Sequence, residues 1–297
     1  MACFETKIDK RFDKISSLHP CFSGEANANR GRVHLPVSPA CNIQCRFCKR
    51  SFNKFENRPG VTGELLSPQK ASQLVDKALE LCPEITVAGI AGPGDTLATP
   101  HALEAFRLIS RSHPRLINCL STNGLLLERY AQDIWDAGVK TVTVTVNAVD
   151  PEVLQNICSR IFLDGRSYEG LEAARLLIGA QKRGIRKMAE LGAVIKINIV
   201  LIPGINDLHI SEIARTVREL GAAIINIIPL IPQHELAEAA PPTCFELNEA
   251  REAAEEFLPV FRHCQHCRAD ACGIPGGKDL SGLLYEYGDI EQTFSHG

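Results

Sequence analysis

From about residue 32 to about residue 229, apolar, β-branched runs take turns with stretches of helical period, and this alternation limits the fold more than any other feature. It is the βα signal of a parallel sheet. Strands are expected near Val33–Val37, Ile85–Ala88, Leu116–Leu120, Thr141–Val146, Val194–Leu201 and Ile224–Ile228, each followed by a helix. Ser67 reads as an N-cap with Pro68 at the first helical position, and further helices read over Leu125–Asp136 and Asp207–Leu220. Six βα units fill roughly two hundred residues, whereas a closed eight-unit barrel takes about 250. The expected fold is therefore α/β, an open (βα)6 partial TIM barrel. The alternation by itself also permits a doubly wound sheet. Residues 1–31 would form an N-terminal extension, 32–230 the core and 231–297 a C-terminal extension.

With 297 residues and 45% hydrophobic content the chain can bury a full core. A net charge of -3 gives no electrostatic footprint for nucleic acid or an anionic membrane. The apolar runs Ile195–Leu201 and Ile224–Ile231 are bounded or broken by Pro203, Pro229 and Pro232, well short of the roughly 18 residues of a membrane span. The N-terminus MACFETKIDKRFDKISS lacks the apolar centre of a secretory signal. A cytoplasmic protein is expected, with small-molecule or protein partners and neither nucleic acid nor membrane. In that reducing compartment the twelve cysteines read as metal ligands or chemical thiols rather than disulfides.

Parallel βα folds carry their chemistry at the C-terminal ends of strands. The segment CNIQCRFC puts Cys41, Cys45 and Cys48 on the loop after the first strand. Three thiolates leave one iron of a [4Fe-4S] cubane open to another ligand, whereas structural zinc takes four ligands. After the second strand come Gly92, Pro93, Gly94 and Asp95, a turn that lets backbone approach a ligand closely; the G-x-x-G-x-G pattern is not a dinucleotide fingerprint. In HCQHCRADAC, Cys264 and Cys267 form a CxxC beside Cys272, His263 and His266, a metal signal that suits iron and zinc equally. His19 and Cys21 precede the barrel in a region of weak apolar periodicity, and unaided they are more often incidental than ligands. Cys119, in LINCLSTNGL, reads as a core thiol unless its register turns it inward. Cys3, Cys82, Cys158 and Cys244 have no partner spacing and read as ordinary thiols, and His34, His101, His113, His209, His234 and His296 read as ordinary histidines. Residues Gln181 to Lys187 read as a solvated helix face.

The CNIQCRFC spacing, with Phe47 before the last cysteine, resembles the signature of the radical S-adenosylmethionine (SAM) superfamily. The resemblance implies that the open iron chelates the cofactor's amino and carboxylate groups. One electron then cleaves SAM to methionine and a 5′-deoxyadenosyl radical. It also implies that the Gly92, Gly94 and Asp95 stretch contacts the methionyl amine. The wider set HPCFSGEANANRGRVHLPVSPACNIQCRFC, ENRPGV, CLSTNGL and CRADACG, spanning His19 to Gly273, resembles the NifB family of nitrogenase cofactor maturation enzymes.

That second resemblance implies two further [4Fe-4S] clusters as substrates, fused with a sulfide and a SAM-derived carbide into an [8Fe-9S-C] precursor. One SAM gives a methyl group to a cluster sulfide, and a second gives the radical that abstracts hydrogen from it. By matching motifs, His19 and Cys119 become ligands of one substrate cluster and Cys264 and Cys267 of the other, with Cys21 serving one of the two, the second by preference. Whether Cys272 or Glu64 ligates iron stays open. Ser121, Thr122, Asn123, Asn147 and Asn198 are expected to hydrogen-bond SAM from strand ends. Family partners would be iron-sulfur cluster donors of the NifU/NifS type, a carrier or scaffold of the NifX/NifEN type, and an electron donor such as ferredoxin. Some members continue into a carrier-like domain; this chain ends about 25 residues beyond Cys272 and is expected to be a stand-alone form. Two rivals are another radical SAM maturase with auxiliary clusters and a non-enzymatic iron-sulfur carrier.

Overall fold

A computed structural model describes residues 10–286 and the backbone of residues 292–294. Cys3 and His296 lie outside the described residues. Six parallel strands, β1 (Gly31–His34), β2 (Ile85–Ile90), β3 (Ile117–Thr122), β4 (Val139–Thr145), β5 (Val194–Leu201) and β6 (Ile224–Pro229), form one sheet in the order 6-5-4-3-2-1. The two residues Cys272–Gly273 add a short antiparallel strand outside β1. Each crossover returns the chain to the next position, so the sheet has no reversal of strand order. That rules out the doubly wound alternative, whose ligand crevice depends on such a reversal.

Several boundaries differ from expectation. β1 starts at Gly31 and stops at His34, because Pro36 has no N–H for the ladder and its carbonyl instead accepts from Leu66 N. β3 runs on to Thr122, so Ser121 and Thr122 are strand residues rather than loop. Asn198 lies mid-strand, paired across to Thr145 and Asn226, and Pro229 is the last residue of β6.

The helices α1 (Pro68–Leu81), α2 (His101–Ser112), α3 (Leu127–Asp136), α4 (Gly170–Leu191), α5 (Ile210–Glu219) and α6 (Cys244–Glu255) supply the covering layer. α1 begins as the sequence predicts: the Ser67 side chain accepts from Lys70 N and Pro68 opens the first turn, a cap that stabilises by about 1 kcal/mol. Ala71, Val75 and Ala78 recur at helical spacing and are fully buried. They join Phe106, Ile134, Val217 and the outward residues of the strands in one core cluster.

The segment between β1 and α1 is anchored by local sheets. Strand Ile43–Cys45 pairs antiparallel with Cys158–Leu163, which pairs in turn with Arg166–Glu169. The region around Phe22, whose apolar periodicity is weak, has a core of its own. Phe22 packs with Val194, Ala223, Ile224 and Phe261, residues distant in sequence that meet at the N-terminal end of β5 and β6. No helix among the described residues is long and apolar enough to cross a membrane.

Gly94 shows how tightly the loops after β1 and β2 are joined. Its N–H donates to Ser38 O at 2.7 Å, Asp95 N donates to Ala40 O at 2.8 Å, and a Cβ on Gly94 would stand 1.9 Å from Ala40 O. The glycine thus permits a backbone-to-backbone approach to the loop that carries Cys41. Gly94→Ala is expected to destabilise by about 1–3 kcal/mol or more, as overpacking against backbone does, and a thermal melt indistinguishable from wild type would contradict this contact.

Candidate iron-sulfur and cofactor cavity

The pleat sorts each strand's residues between two faces. On β5, Ile195, Ile197, Ile199 and Leu201 are fully buried against the helices, while Lys196, Asn198 and Val200 line a cavity on the other face. The same alternation turns Arg32 and His34, Val87 and Gly89, Cys119 and Ser121, Thr143 and Thr145, and Asn226 and Ile228 into that cavity. Its volume is about 370 Å³, within the range of small-molecule sites. It extends past the C-terminal strand ends, where chemistry was expected, along the N-terminal half of the strands.

At the C-terminal end, Cys41, Cys45 and Cys48 all line the cavity. Their loop closes on itself through Cys48 N to Cys45 O at 3.0 Å, and Gln44 Nε2 donates to the carbonyls of Cys45 and Cys48. Phe47 packs against an apolar cluster that contains Ile43, Leu125, Ile157 and Ile161, a backing for the loop. Burial pushes the Cys41 thiol up, against the pull of Arg50, and pushes Cys45 well up, with the neighbouring thiols adding to the effect. Asn123 Nδ2 sits 3.8 Å from Cys41 Sγ and 2.7 Å from Asn42 Oδ1. Arg50 Nε donates to Pro93 O at 2.5 Å, while its Nη1 is buried with no partner. Three soft thiols, an apolar wall and an unsatisfied cationic donor fit an anionic cubane with three protein ligands.

Of the residues expected to meet SAM, Gly94, Asp95, Ser121, Thr122, Asn123, Asn147 and Asn198 line the cavity and Gly92 does not. Gly92 sits at φ 134° beside Ala269. The Asp95 carboxylate is taken up by Thr122 Oγ1, Leu97 N and Asn123 N, so it ties the β2 and β3 loops together. Asn147 Oδ1 accepts from Val200 N, and Asn198 Oδ1 accepts from Asn226 Nδ2.

Deeper in the cavity stand His19, Cys21, Cys119, Cys264 and Cys267. His19 is buried against Phe22, its Nδ1 accepts from Cys21 N at 3.1 Å, and its Nε2 has no partner. Burial, with Lys196 adding to it, holds the imidazole neutral, well below the usual histidine range. Ligation through Nε2 would move the ring proton to Nδ1 and open the contact with Cys21 N. Burial pushes Cys21 up to about 12 and raises Cys119. Arg32 Nη2 lies 3.1 Å from Cys267 Sγ.

The other C-terminal donors go elsewhere. Cys272 is in the main core and outside the cavity wall, burial pushing it up to about 12. His263 stacks edge-on against Phe261, while His266 reaches the cavity. Glu64 pairs with Lys70 at 2.5 Å and accepts from Glu286 N, away from the lining residues. Among the described residues, no three His, Cys, Asp or Glu side chains stand close enough to hold one metal ion. Such spacing does not suit a mononuclear zinc, whose ligands crowd within about 2.3 Å of one centre; a cubane takes one thiolate per iron corner and spreads its ligands further apart.

Several wall residues escaped the sequence reading. Gln181, taken as part of a solvated face, is buried and donates to Asn123 O at 2.7 Å and Thr145 O at 2.9 Å. Its neighbours Arg183, Arg186 and Lys187 are exposed as expected. Cys158, taken as an ordinary thiol, is the register partner of Cys45 and lines the cavity. His34 also lines it, bonded through Nδ1 to Arg268 O and lowered to about 4 by burial and Arg32. Arg32, Arg50 and Lys196 line it too. A signal for Lys196 existed: in VIKINIVL the polar residues fall two apart, on one face of the strand.

The Radical SAM superfamily model matches residues 35–217. The FeMo cofactor biosynthesis protein NifB of Methanocaldococcus infernus is 46% identical over 272 residues, 91% of this chain and 90% of that protein. Its counterpart in Methanocaldococcus jannaschii is 47% identical over 266 residues, 89% and 88% of the two chains. The Klebsiella pneumoniae protein of the same name is 42% identical, and the match covers 88% of this chain but 58% of that one. A radical SAM methyltransferase from Sphaerobacter thermophilus shares the fold, with a TM-score of 0.59 at 20% identity over 81% of this chain and 70% of that one. The chain belongs to the radical SAM superfamily and, within it, to the NifB family of FeMo cofactor biosynthesis proteins.

Proposed function

We propose that this chain is a radical SAM enzyme of nitrogenase cofactor biosynthesis, fusing two [4Fe-4S] substrate clusters with a sulfide and a SAM-derived carbide into an [8Fe-9S-C] precursor. The observation that carries the reading is that one cavity gathers three sets of donors: Cys41, Cys45 and Cys48; His19 and Cys119; Cys21, Cys264 and Cys267. A radical enzyme that holds a single cluster has no need of the second and third sets.

Cys41, Cys45 and Cys48 hold the resident cubane. When bound, the cubane and SAM supply a 5′-deoxyadenosyl radical, and a further SAM supplies the methyl group that becomes the carbide. His19 and Cys119 hold one substrate cluster and Cys264 and Cys267 the other, with Cys21 serving the latter. Ser121, Thr122, Asn123, Asn147 and Asn198 present polar atoms to SAM, and the Gly94–Asp95 turn positions its amino group. Gln181 fixes the loop after β3 to the end of β4, and Ile43, Phe47, Ile157 and Leu177 keep water from the reacting centre. The chain works in the cytoplasm, supplied by cluster donors and a ferredoxin-like reductant, and passes its product to a carrier or scaffold.

Anaerobic incubation of reconstituted, iron-counted protein with SAM and dithionite tests this. Deoxyadenosine and S-adenosylhomocysteine with about twelve irons per chain are expected; deoxyadenosine alone with about four irons would leave a radical enzyme of another kind. Cys45→Ala is expected to abolish deoxyadenosine, and intact cleavage in that variant would sink the assignment of the first cluster. Cys264→Ala is expected to keep the first cluster, lose about four irons and form no eight-iron product. Loading must expel the protons that burial keeps on Cys21, Cys41, Cys45 and Cys119. Iron retention should therefore strengthen from pH 7 to pH 9, about tenfold per unit for each proton expelled, and a flat profile would contradict it.

A further inference from the structure

Three cations in the cavity wall stand outside every ion pair of the described residues. Arg32, Arg50 and Lys196 are each more than nine-tenths buried, at 7%, 8% and 4% exposure. Among the described residues none of them takes part in an ion pair with a carboxylate. The lining carries five cationic side chains, these three with Lys49 and Arg58, against the single carboxylate of Asp95. That carboxylate is already held by Thr122, Leu97 and Asn123, and Arg58 is paired with Glu56.

Burying an uncompensated cation is costly. A wall with three of them is complementary to anionic contents.

Their placement is divided. Arg50 is two residues beyond Cys48 and lines the cavity with Cys41, Cys45 and Cys48, its Nη1 buried with no partner. Arg32 Nη2 is 3.1 Å from Cys267 Sγ. Lys196 Nζ donates to Cys21 O at 3.0 Å and lines the same cavity as His19 and Cys119. Arginine has no lone pair to give a metal, and a protonated lysine has none either, so all three stand beside the ligands without being ligands.

We infer that each group of donors has its own non-ligating cation: Arg50 for the resident cubane, Arg32 for the cluster on Cys264 and Cys267, and Lys196 for the cluster reached by His19 and Cys119. The inference rests on the three-cluster reading above. These are positioning residues, each offsetting the negative charge of one cluster. A nearby positive charge favours the more negative, reduced form, so each cation also raises its own cluster's reduction potential. The two substrate clusters are thereby kept distinct before they are joined.

The test uses the full chain with Arg50→Gln, Arg32→Gln and Lys196→Gln, and the charge-keeping Arg50→Lys, Arg32→Lys and Lys196→Arg. Each is reconstituted anaerobically, its iron counted, and its clusters titrated by electron paramagnetic resonance. Signals are assigned with Cys45→Ala and Cys264→Ala. Each neutral variant is expected to shift one cluster to a more negative potential, or lose about four irons, leaving the other two clusters as internal proof of folding. The charge-keeping variants should follow wild type.

Neutral variants with full iron and unmoved potentials would overturn the inference, as would a common shift of all three signals or equal damage from the charge-keeping variants. Wild-type protein that takes up only about four irons would defeat the three-cluster reading and the roles of Arg32 and Lys196 with it. Wild type at about twelve with unresponsive variants would defeat this inference alone.

Discussion

The cavity depends on the pleat of one parallel sheet. Because successive side chains point to opposite faces, a strand can bury Ile195, Ile197 and Ile199 under helices while presenting Lys196 and Asn198 to the concave side. The helical layer supplies the hydrophobic stabilisation, and the inner face is free to hold groups that a closed core would reject. The open curl of six strands gives that inner face room that a closed, packed barrel would fill with side chains.

Around that face the chain spends its glycine, amide and carboxylate groups on rigidity. Gly94 lets two loop backbones touch, Asp95 ties the turn after β2 to the end of β3, and Gln181 ties β3's loop to β4. Asn147 and Asn206 perform the same service between β4 and β5. These residues set where the polar atoms stand, and ordered donors cost no reorganisation when charge appears among them. The strand Ile43–Cys45, paired with Cys158–Leu163, extends this rigidity to the thiol loop itself.

The electrostatics are consistent across the cavity. Burial keeps Cys21, Cys41, Cys45 and Cys119 protonated and the histidines His19 and His34 neutral, while Arg32, Arg50 and Lys196 are buried in the wall. The resulting excess of positive charge is suited to thiolate-bound iron-sulfur clusters and gives no comparable partner to a neutral organic substrate.

Local physics made much of this legible in the residues alone. The βα alternation, the Ser67–Pro68 helix start, the CxxxCxxC spacing and the Cys264–Cys267 pair each depend on neighbours within a few positions, so the six units and the two thiol motifs could be read directly. What tertiary structure decided are the facts that depend on residues far apart in the chain. Strand order chose the open barrel over the doubly wound sheet. Register turned Cys119 inward, the edge pairing of Cys272 with Val33 took that thiol into the core, and antiparallel pairing brought Cys158 opposite Cys45. The charge excess was equally out of reach, because Arg32, Arg50 and Lys196 are ordinary members of a chain of net charge -3 until folding buries them on one surface without a carboxylate ion pair among the described residues.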